Sequence, residues 1–278
     1  MPELPEVHVH AERLDAALAG SVLQRVDPLT FTAFKTLGPQ PGEVEGQVLR
    51  SVTARGKYLL LRTDALTFAV HLMQGGRLKP AKLSVKRPRG GIAQWVFENE
   101  QILLLTEAGT EHKAGVWVLR GDPLTQDPLA GLGPDAHTLN VTQLDEILRA
   151  QPGRLHTMLR DQSAIAGIGR RLANEICHRA KLSPFASGRR LAKDEMTRLH
   201  AALREVLAED LAFERGREEM SSSAERPARV HNLAGTPCST CGDVVRSVEY
   251  RSYTVSYCAT CQTDGRVLAD NTTSKFLR

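Results

Sequence analysis

Residues 238–261 read CSTCGDVVRSVEYRSYTVSYCATC, a segment with one pair of cysteines at each end. The spacing, C-x2-C-x16-C-x2-C, predicts one tetrahedral zinc site rather than two disulfides in a chain without a recognisable secretion signal, and a redox pair is the main alternative. Four thiolates around one Zn²⁺ can hold together a segment whose own core is too small. The residues between the pairs predict a β-hairpin with strands at 244–248 and 253–257.

Upstream of the cysteines, the chain changes from strand-like to helical character. After a helical pattern at 3–18, short strand-like runs alternate with turns, which predicts a mostly antiparallel β-sandwich or barrel. These runs are 58–62, 67–71, 93–97 and 102–106. A segment rich in glycine and proline at 123–134 predicts a linker. Helical patterns follow at 141–150, 153–161, 170–181 and 192–214.

An apolar run that ends Gly167-Ile168-Gly169 comes directly before the third of these helical patterns. Such a turn leaves backbone amides directed beyond the start of the helix, which suits a phosphate group. An ordinary tight turn is the alternative interpretation.

The charge is unevenly distributed along the 278 residues, a length that suits two domains. The net charge is +4, and residues 1–150 carry 16 basic and 17 acidic side chains, whereas residues 151–278 carry 20 and 15. The basic excess in the C-terminal part suits a phosphate-binding surface, although a merely solvated surface has a similar composition. There is no apolar run of about 18 residues and no signal-peptide pattern, so we expect a cytoplasmic protein without membrane contact.

The N-terminus, Met1-Pro2-Glu3-Leu4-Pro5-Glu6-Val7, carries candidate chemistry. Removal of Met1 would leave Pro2 with a free secondary amine, and a terminal amine has a reference pKa of about 7.7–8.0. Such an amine can attack an electrophilic sugar carbon while the Glu3 carboxylate moves the protons. Many proteins begin Met-Pro without any such function, and an amide nitrogen that still carries Met1 cannot attack.

Taken in order, the motifs resemble those of the formamidopyrimidine-DNA glycosylase/endonuclease VIII family over nearly the whole chain. The matching segments are PELPEV (2–7), ARGKYLLL (54–61), HLMQGGRL (71–78), GLGPDA (131–136), DQSAIAGIGRRLANEI (161–176) and YCATCQ (257–262). The resemblance implies an α+β fold with four parts. They are an N-terminal catalytic β-sandwich with a leading helix (1–125), a linker (126–135), a domain with a helix–two-turns–helix motif (136–230) and a β-hairpin zinc finger (231–278).

The resemblance also implies a base-excision repair enzyme that removes oxidised bases from DNA and cleaves the abasic site by β/δ-elimination. Pro2 matches the family nucleophile, Glu3 the acid/base residue, and Glu6 a carboxylate that orders the N-terminus. Lys57 matches a lysine at a backbone phosphate, with a solvated turn residue as the alternative. One structural Zn²⁺ is expected on Cys238, Cys241, Cys258 and Cys261. The expected partner is damaged DNA, bound by a monomer that flips the damaged nucleotide out of the stack.

The helical domain and the finger depart from the family pattern at three DNA-binding positions. Arg170 stands where the family has an asparagine that binds a phosphate, and His156 where many relatives have a lysine. An arginine can still reach a phosphate. Tyr253 stands at the position of a phosphate-gripping arginine in the finger. Arg251, which we expect on the same strand face, or Arg246 could compensate for it.

The residues that fill the space of the flipped nucleotide also differ. Gln74 occupies the first wedge position with Met73 beside it, His112 takes the place of an arginine, and Ala114 replaces an aromatic plug. This more polar wedge argues against a standard preference for 8-oxoguanine opposite cytosine. Oxidised pyrimidines, abasic sites or single-stranded substrates are favoured instead.

The sequence leaves one other function open and argues against a second. A protein that binds lesions or abasic sites without efficient catalysis is compatible with Arg170, Ala114 and Tyr253, but it has no need of a terminal proline amine. A zinc-finger transcription regulator would need a recognition helix beside the cysteines, and the sequence offers none.

Overall fold

The computed structural model describes residues 1–82, 89–108 and 113–268. The chain forms two compact units. The first consists of Met1–Leu132 and Glu218–Ser223, and the second of Gly133–Arg217 and Ala224–Arg278. The first unit is therefore built from two separate segments of the chain.

A helix, α1 (Leu4–Leu18), opens the first unit, in agreement with the helical pattern at 3–18. Val7, Leu14 and Leu18 are at most 2% exposed. Their helical spacing places them on one face of α1, which packs against strand β2 (Ser51–Arg55).

The described part of the first unit contains two four-stranded antiparallel sheets. Their strands are β1 (Leu23–Pro28), β2, β3 (Tyr58–Arg62), β4 (Leu66–His71), β5 (Gly76–Lys82), β6 (Gly91–Phe97), β7 (Gln101–Glu107) and β8 (Gly115–Arg120). One sheet has the order β1-β6-β7-β5 and the other β2-β3-β4-β8. Each of the four predicted strand-like runs lies within one of these strands.

The two sheets pack face to face around a shared core. Phe68 from β4 and Trp95 from β6 are fully buried, and their rings meet edge to face with centroids 5.7 Å apart. Burial of side chains of this size contributes about 1.5–3 kcal/mol each to stability. The predicted β-sandwich with a leading helix is confirmed, and the barrel alternative is not what forms.

The second unit is mainly helical. Its helices are α2 (Val141–Ala150), α3 (Leu155–Leu159), α4 (Arg170–Arg179), α5 (Lys193–Arg215) and the short α6 (Ala259–Gln262). The pattern at 170–181 predicted a longer α4, which ends earlier because Lys181 has a φ of +54°, outside the helical region. The predicted helix at 153–161 is shorter because Arg154 pairs with Ser187 in an isolated β-bridge. No helix within the described ranges is long and apolar enough to cross a membrane.

A buried ion pair joins two helices of this unit. Arg171 on α4 donates a hydrogen bond to the carboxylate of Asp210 on α5, and the two side chains are 4% and 8% exposed. Removal of one partner from a buried pair leaves an uncompensated charge and typically costs about 3–5 kcal/mol. The pair therefore fixes the packing of α4 on α5.

A two-stranded hairpin lies near the C-terminal end of the described chain, with β9 (Val245–Tyr250) and β10 (Tyr253–Cys258). Compared with the predicted ranges 244–248 and 253–257, β9 begins one residue later and ends two residues later, and β10 ends one residue later. The four cysteines flank this hairpin and lie near one another. The arrangement is that of a zinc finger, as predicted.

Two short 3₁₀ segments flank the connection between the sandwich and the helices. They are Pro123–Thr125 and Ala136–Thr138. Asp122 caps the first segment by accepting a hydrogen bond from the Leu124 amide at 2.9 Å. The predicted linker is thus an ordered connection with local turn structure. Further 3₁₀ segments lie at Pro41–Val44 and Gly188–Arg190.

Candidate functional site

The N-terminus of the chain is held by the first turn of α1. The backbone amide of Glu3 donates a 2.6 Å hydrogen bond to Oε2 of Glu6. Pro2 is buried, and Glu3 and Glu6 are 5% and 1% exposed, whereas Met1 is 39% exposed. This hydrogen bond, called the clamp below, orients the peptide bond between Pro2 and Glu3 and keeps two carboxylates beside it.

Lys57 lies in the tight turn of the hairpin formed by β2 and β3. Gly56 has a φ of +58°, a conformation that favours glycine at the first position of a two-residue turn. The Lys57 side chain is 7% exposed, so it is not the solvated turn residue that was the alternative. A buried ammonium requires compensation by its surroundings, which distinguishes this lysine from an ordinary surface residue.

His71 is a site residue that the sequence analysis did not single out. It is the last residue of β4 and lies opposite Tyr58 in the β3–β4 register. The two rings meet edge to face, with their centroids 4.7 Å apart. The pKa of His71 is lowered to about 4, mainly by burial and also by the positive charges of Lys57 and of the N-terminal amine. These contributions show that Lys57 and the N-terminus both lie near this ring.

The tautomer of His71 follows from its hydrogen bond. Nδ1 lies 3.0 Å from the backbone amide of Met73, which donates to it. A ring that is neutral and accepts at Nδ1 carries its proton on Nε2. His71 therefore remains an uncharged hydrogen-bond donor at neutral pH beside two cationic groups. The β3–β4 register and the packing of α1 on β2 and β3 bring these groups together, which is why sequence spacing did not reveal the residue.

The turn after His71 presents Gln74 to solvent. Gly76 donates its amide to the Leu72 carbonyl at 2.8 Å, and a Cβ at Gly76 would lie 2.3 Å from the same oxygen. Met73 has a φ of +50°, in the left-handed region. Gln74 is exposed at the tip of this closed turn, as a wedge residue requires.

The second predicted wedge loop is described only at its ends. The buried carboxylate of Glu107 accepts a hydrogen bond from the Ala114 amide at 2.9 Å and so closes the base of the loop. Ala114 is 1% exposed and belongs to the core, so it does not project from the loop. His112 lies outside the described residues.

In the second unit, Gln162 organises the turn before α4. Its Oε1 accepts from the Gly167 amide at 3.0 Å, and its Nε2 donates to the carbonyls of Arg160 and Ile168 at 2.7 Å each. The turn then continues into α4, where Arg170 is the first residue and is half-exposed. The geometry therefore places Arg170 at the helix N-terminus, where an anion is favoured.

Three of the predicted DNA-binding residues lie at or near the hairpin turn. Tyr253 is half-buried, and its ring is stacked on Tyr250 with centroids 4.7 Å apart and on His156 with centroids 6.0 Å apart. His156 is 2% exposed, so its ring supports Tyr253 rather than forming part of an open surface. Arg251 is exposed within the turn Arg251-Ser252, and the expectation that it shares a strand face with Tyr253 is wrong.

The four cysteines form a cluster that could hold a metal ion. Their Sγ atoms all lie within 4.8 Å of one another, with 3.9 Å between Cys238 and Cys261 and 3.4 Å between Cys241 and Cys258. Disulfide bonds of about 2.05 Å are excluded, because all four are free thiols. A tetrahedral site with metal–sulfur bonds of about 2.3 Å has sulfur–sulfur distances of about 3.8 Å, so the cluster fits zinc.

Helix α4 contacts the finger through two buried side chains. His178 Nε2 lies 3.3 Å from Sγ of Cys238. Glu175 accepts hydrogen bonds from the amides of Arg229, Val230 and His231 at 2.8, 3.1 and 2.8 Å. Burial raises the pKa of Glu175, and the three amides and the Arg171 charge oppose that shift. Neither residue was predicted to have a role, although Glu175 lies within the segment 161–176 and His178 follows it closely.

Comparisons with known proteins agree with this arrangement. A model of the formamidopyrimidine-DNA glycosylase N-terminal domain matches residues 1–110, and a model of the H2TH domain of the same enzymes matches residues 130–222. A formamidopyrimidine-DNA glycosylase of Shewanella baltica is 30% identical over 278 residues, which cover 95% of this chain and all of the relative. An uncharacterised formamidopyrimidine-DNA glycosylase-like protein of Mycobacterium tuberculosis is 40% identical over 156 residues, 55% of this chain and 98% of that protein.

Solved structures share the fold. The Lactococcus lactis protein in complex with DNA that contains an abasic site superposes with a TM-score of 0.83. The identity is 20%, and the match covers 94% of this chain and 99% of the other. At this identity, the similarity supports the fold alone.

Proposed function

Because the chain belongs to the formamidopyrimidine-DNA glycosylase/endonuclease VIII family, we propose that it is a base-excision repair DNA glycosylase that also cleaves the resulting abasic site. The observation that carries this proposal is the clamp at the N-terminus. Glu6 holds the Glu3 amide at 2.6 Å, directly after the buried Pro2. The same two residues form a capping box that starts α1, so their support for the enzyme comes from their burial directly beside Pro2 rather than from the hydrogen bond itself.

In the proposed reaction, removal of Met1 frees the Pro2 nitrogen, whose lone pair attacks C1′ of the damaged nucleotide. The bond between C1′ and the base breaks, and the base leaves with the proton that the Pro2 nitrogen loses on attack. Glu3 protonates the sugar ring oxygen, the ring opens, and an iminium links C1′ to Pro2. Loss of a C2′ proton then expels the 3′ phosphate, and a second elimination expels the 5′ phosphate.

The surrounding residues hold the substrate in this scheme. Lys57 compensates the charge of a backbone phosphate, and neutral His71 supplies a hydrogen-bond donor beside it. Gln74 enters the space of the flipped nucleotide, and Arg170 binds a phosphate at the start of α4. We propose that the four cysteines hold one structural Zn²⁺, which stabilises the hairpin and takes no part in the chemistry.

Trapping with borohydride tests the nucleophile. Protein whose Met1 is shown by mass spectrometry to be absent is mixed with abasic-site duplex and reductant, and a covalent adduct at Pro2 is expected. Pro2→Gly should form much less adduct, and Glu3→Gln should impair base removal more than DNA binding. Pro5→Ala is the matched control, because Pro5 lies in the first helical turn and its replacement leaves the terminal amine intact.

The second candidate function is a lesion-binding protein with weak or no catalysis. It is favoured by Tyr253, which carries no charge at the position where the family has an arginine. Binding of abasic-site DNA without an adduct, by protein that lacks Met1, would support this alternative and reject the enzyme.

A further inference from the structure

Arg160, at the end of α3, has its guanidinium carbon 4.1 Å from the centre of the Tyr253 ring. A cation this close to an aromatic face is held by the quadrupole of the ring. A guanidinium held over a ring can still donate hydrogen bonds from the N–H groups in its plane, and their geometry suits a phosphate. Arg160 is half-exposed, whereas Arg171, farther along the same unit, is buried in an ion pair.

The ring under Arg160 is itself held in place. Tyr250 and Tyr253 are cross-strand partners beside the hairpin turn, and their rings are stacked within 14° of parallel. His156, one helical turn before Arg160, is within 13° of parallel to Tyr253. The stack therefore joins the hairpin to α3 and limits the positions that Arg160 can adopt.

The backbone of Arg160 is also tied to the turn that precedes α4. The Nε2 group of Gln162 donates to the carbonyls of both Arg160 and Ile168. Because one amide nitrogen bridges the two carbonyls, Arg160 lies beside the Gly167–Gly169 turn and the N-terminus of α4. The backbone of Arg160 thus lies beside a helix N-terminus, which favours an anion, within the second unit.

We propose that Arg160 binds a phosphate of the DNA backbone and that Tyr253 is the positioning residue that seats its guanidinium. This inference rests on the proposed function, since it concerns the same DNA. It assigns the charge that the finger lacks at position 253 to a residue of α3. It also disfavours Arg251, which is exposed in a two-residue turn and would lose more side-chain freedom on binding.

The test measures binding of the full zinc-loaded chain to a duplex with a tetrahydrofuran abasic-site analogue, by fluorescence anisotropy at several salt concentrations. Arg160→Gln should weaken binding about tenfold at low salt and reduce the slope of log K against log [salt] by about 1. Tyr253→Leu should have a similar effect, whereas Tyr253→Phe keeps the ring and should restore wild-type binding. The double variant Arg160→Gln/Tyr253→Leu should bind no more than about twofold more weakly than Arg160→Gln alone.

The outcomes separate a phosphate contact from a structural contact. Weaker binding of Arg160→Gln with an unchanged salt slope would overturn the proposal, because a purely structural role does not alter the number of ions released. A reduced slope for Arg251→Gln but not for Arg160→Gln would overturn it in favour of the hairpin turn. Circular dichroism and zinc content verify that each variant folds. If the wild-type chain itself neither binds abasic-site DNA nor forms the borohydride adduct, the proposed function fails; if it does both, only the role of Arg160 is at stake.

Discussion

The lowered pKa of His71, at the end of β4, leads to a quantitative prediction of how stability depends on pH. Its folded-state pKa is lowered from 6.5 to about 4. The folded chain therefore binds fewer protons than the unfolded chain between these values. The contribution of His71 to the free energy of unfolding is fully present above pH 6.5 and is lost as the pH falls toward 4. The full difference is about 3 kcal/mol, of which about 2 kcal/mol is lost by pH 5.

His71→Asn is the perturbation that isolates this effect. The Asn side-chain oxygen can accept the Met73 amide hydrogen bond in place of Nδ1, and the titrating ring is gone. Urea unfolding of the first unit, followed by Trp fluorescence between pH 5 and 8, should show a steeper loss of stability toward low pH for the wild type than for His71→Asn. The slope that remains in the variant comes from other groups such as buried His10, whose pKa is also lowered by burial. Tyr58→Phe keeps both the histidine and the edge-on ring contact, so it should keep the wild-type slope.

Direct titration of the imidazole by NMR checks the same quantity without unfolding. The expected result is a His71 ring that stays neutral down to about pH 5. A measured pKa of about 6 or higher would refute the reasoning, because burial beside Lys57 and the terminal amine could not then dominate the environment.

Three further predictions concern the described core and the finger. Glu175→Gln should destabilise the second unit by about 2–3 kcal/mol in urea unfolding, because an amide group then faces the Arg229 N–H; a change within about 0.5 kcal/mol would contradict this. His178→Phe should lower zinc affinity about tenfold or more in a chelator competition, by loss of the contact with Cys238; unchanged zinc retention would argue against it. Gly76→Ala should cost at least about 1–3 kcal/mol in thermal unfolding because its Cβ meets a backbone oxygen, whereas the open Gly42→Ala should be nearly neutral.

Local patterns in the sequence predicted the elements that depend on neighbouring residues. The cysteine spacing predicted the hairpin and the thiol cluster, since both follow from one short segment. Helix α2 begins and ends at the predicted residues because Asn140 caps its start and the apolar spacing spans its length. These properties require no knowledge of distant contacts.

The site residues that were missed depend on contacts between distant segments. His71 becomes unusual only when the β3–β4 register places it near Lys57 and the packing of α1 on the sheet brings the N-terminus close. Arg160 acquires a role only because the hairpin brings Tyr253 under its guanidinium. The error on Arg251 has the same origin, since a two-residue turn removes it from the strand on which its expected alternation with Tyr253 depended.

The short return segment Glu218–Ser223 has a consequence for dissecting the protein into parts. Glu219 forms an ion pair with Lys79 of β5, and Met220 packs against the sandwich core. A fragment truncated at Leu132 would lack both contacts and expose apolar surface that the intact chain covers. An N-terminal fragment for separate expression would therefore need residues 218–223 fused to residues 1–132. A fragment of residues 1–132 alone would expose the part of the sandwich that this segment covers.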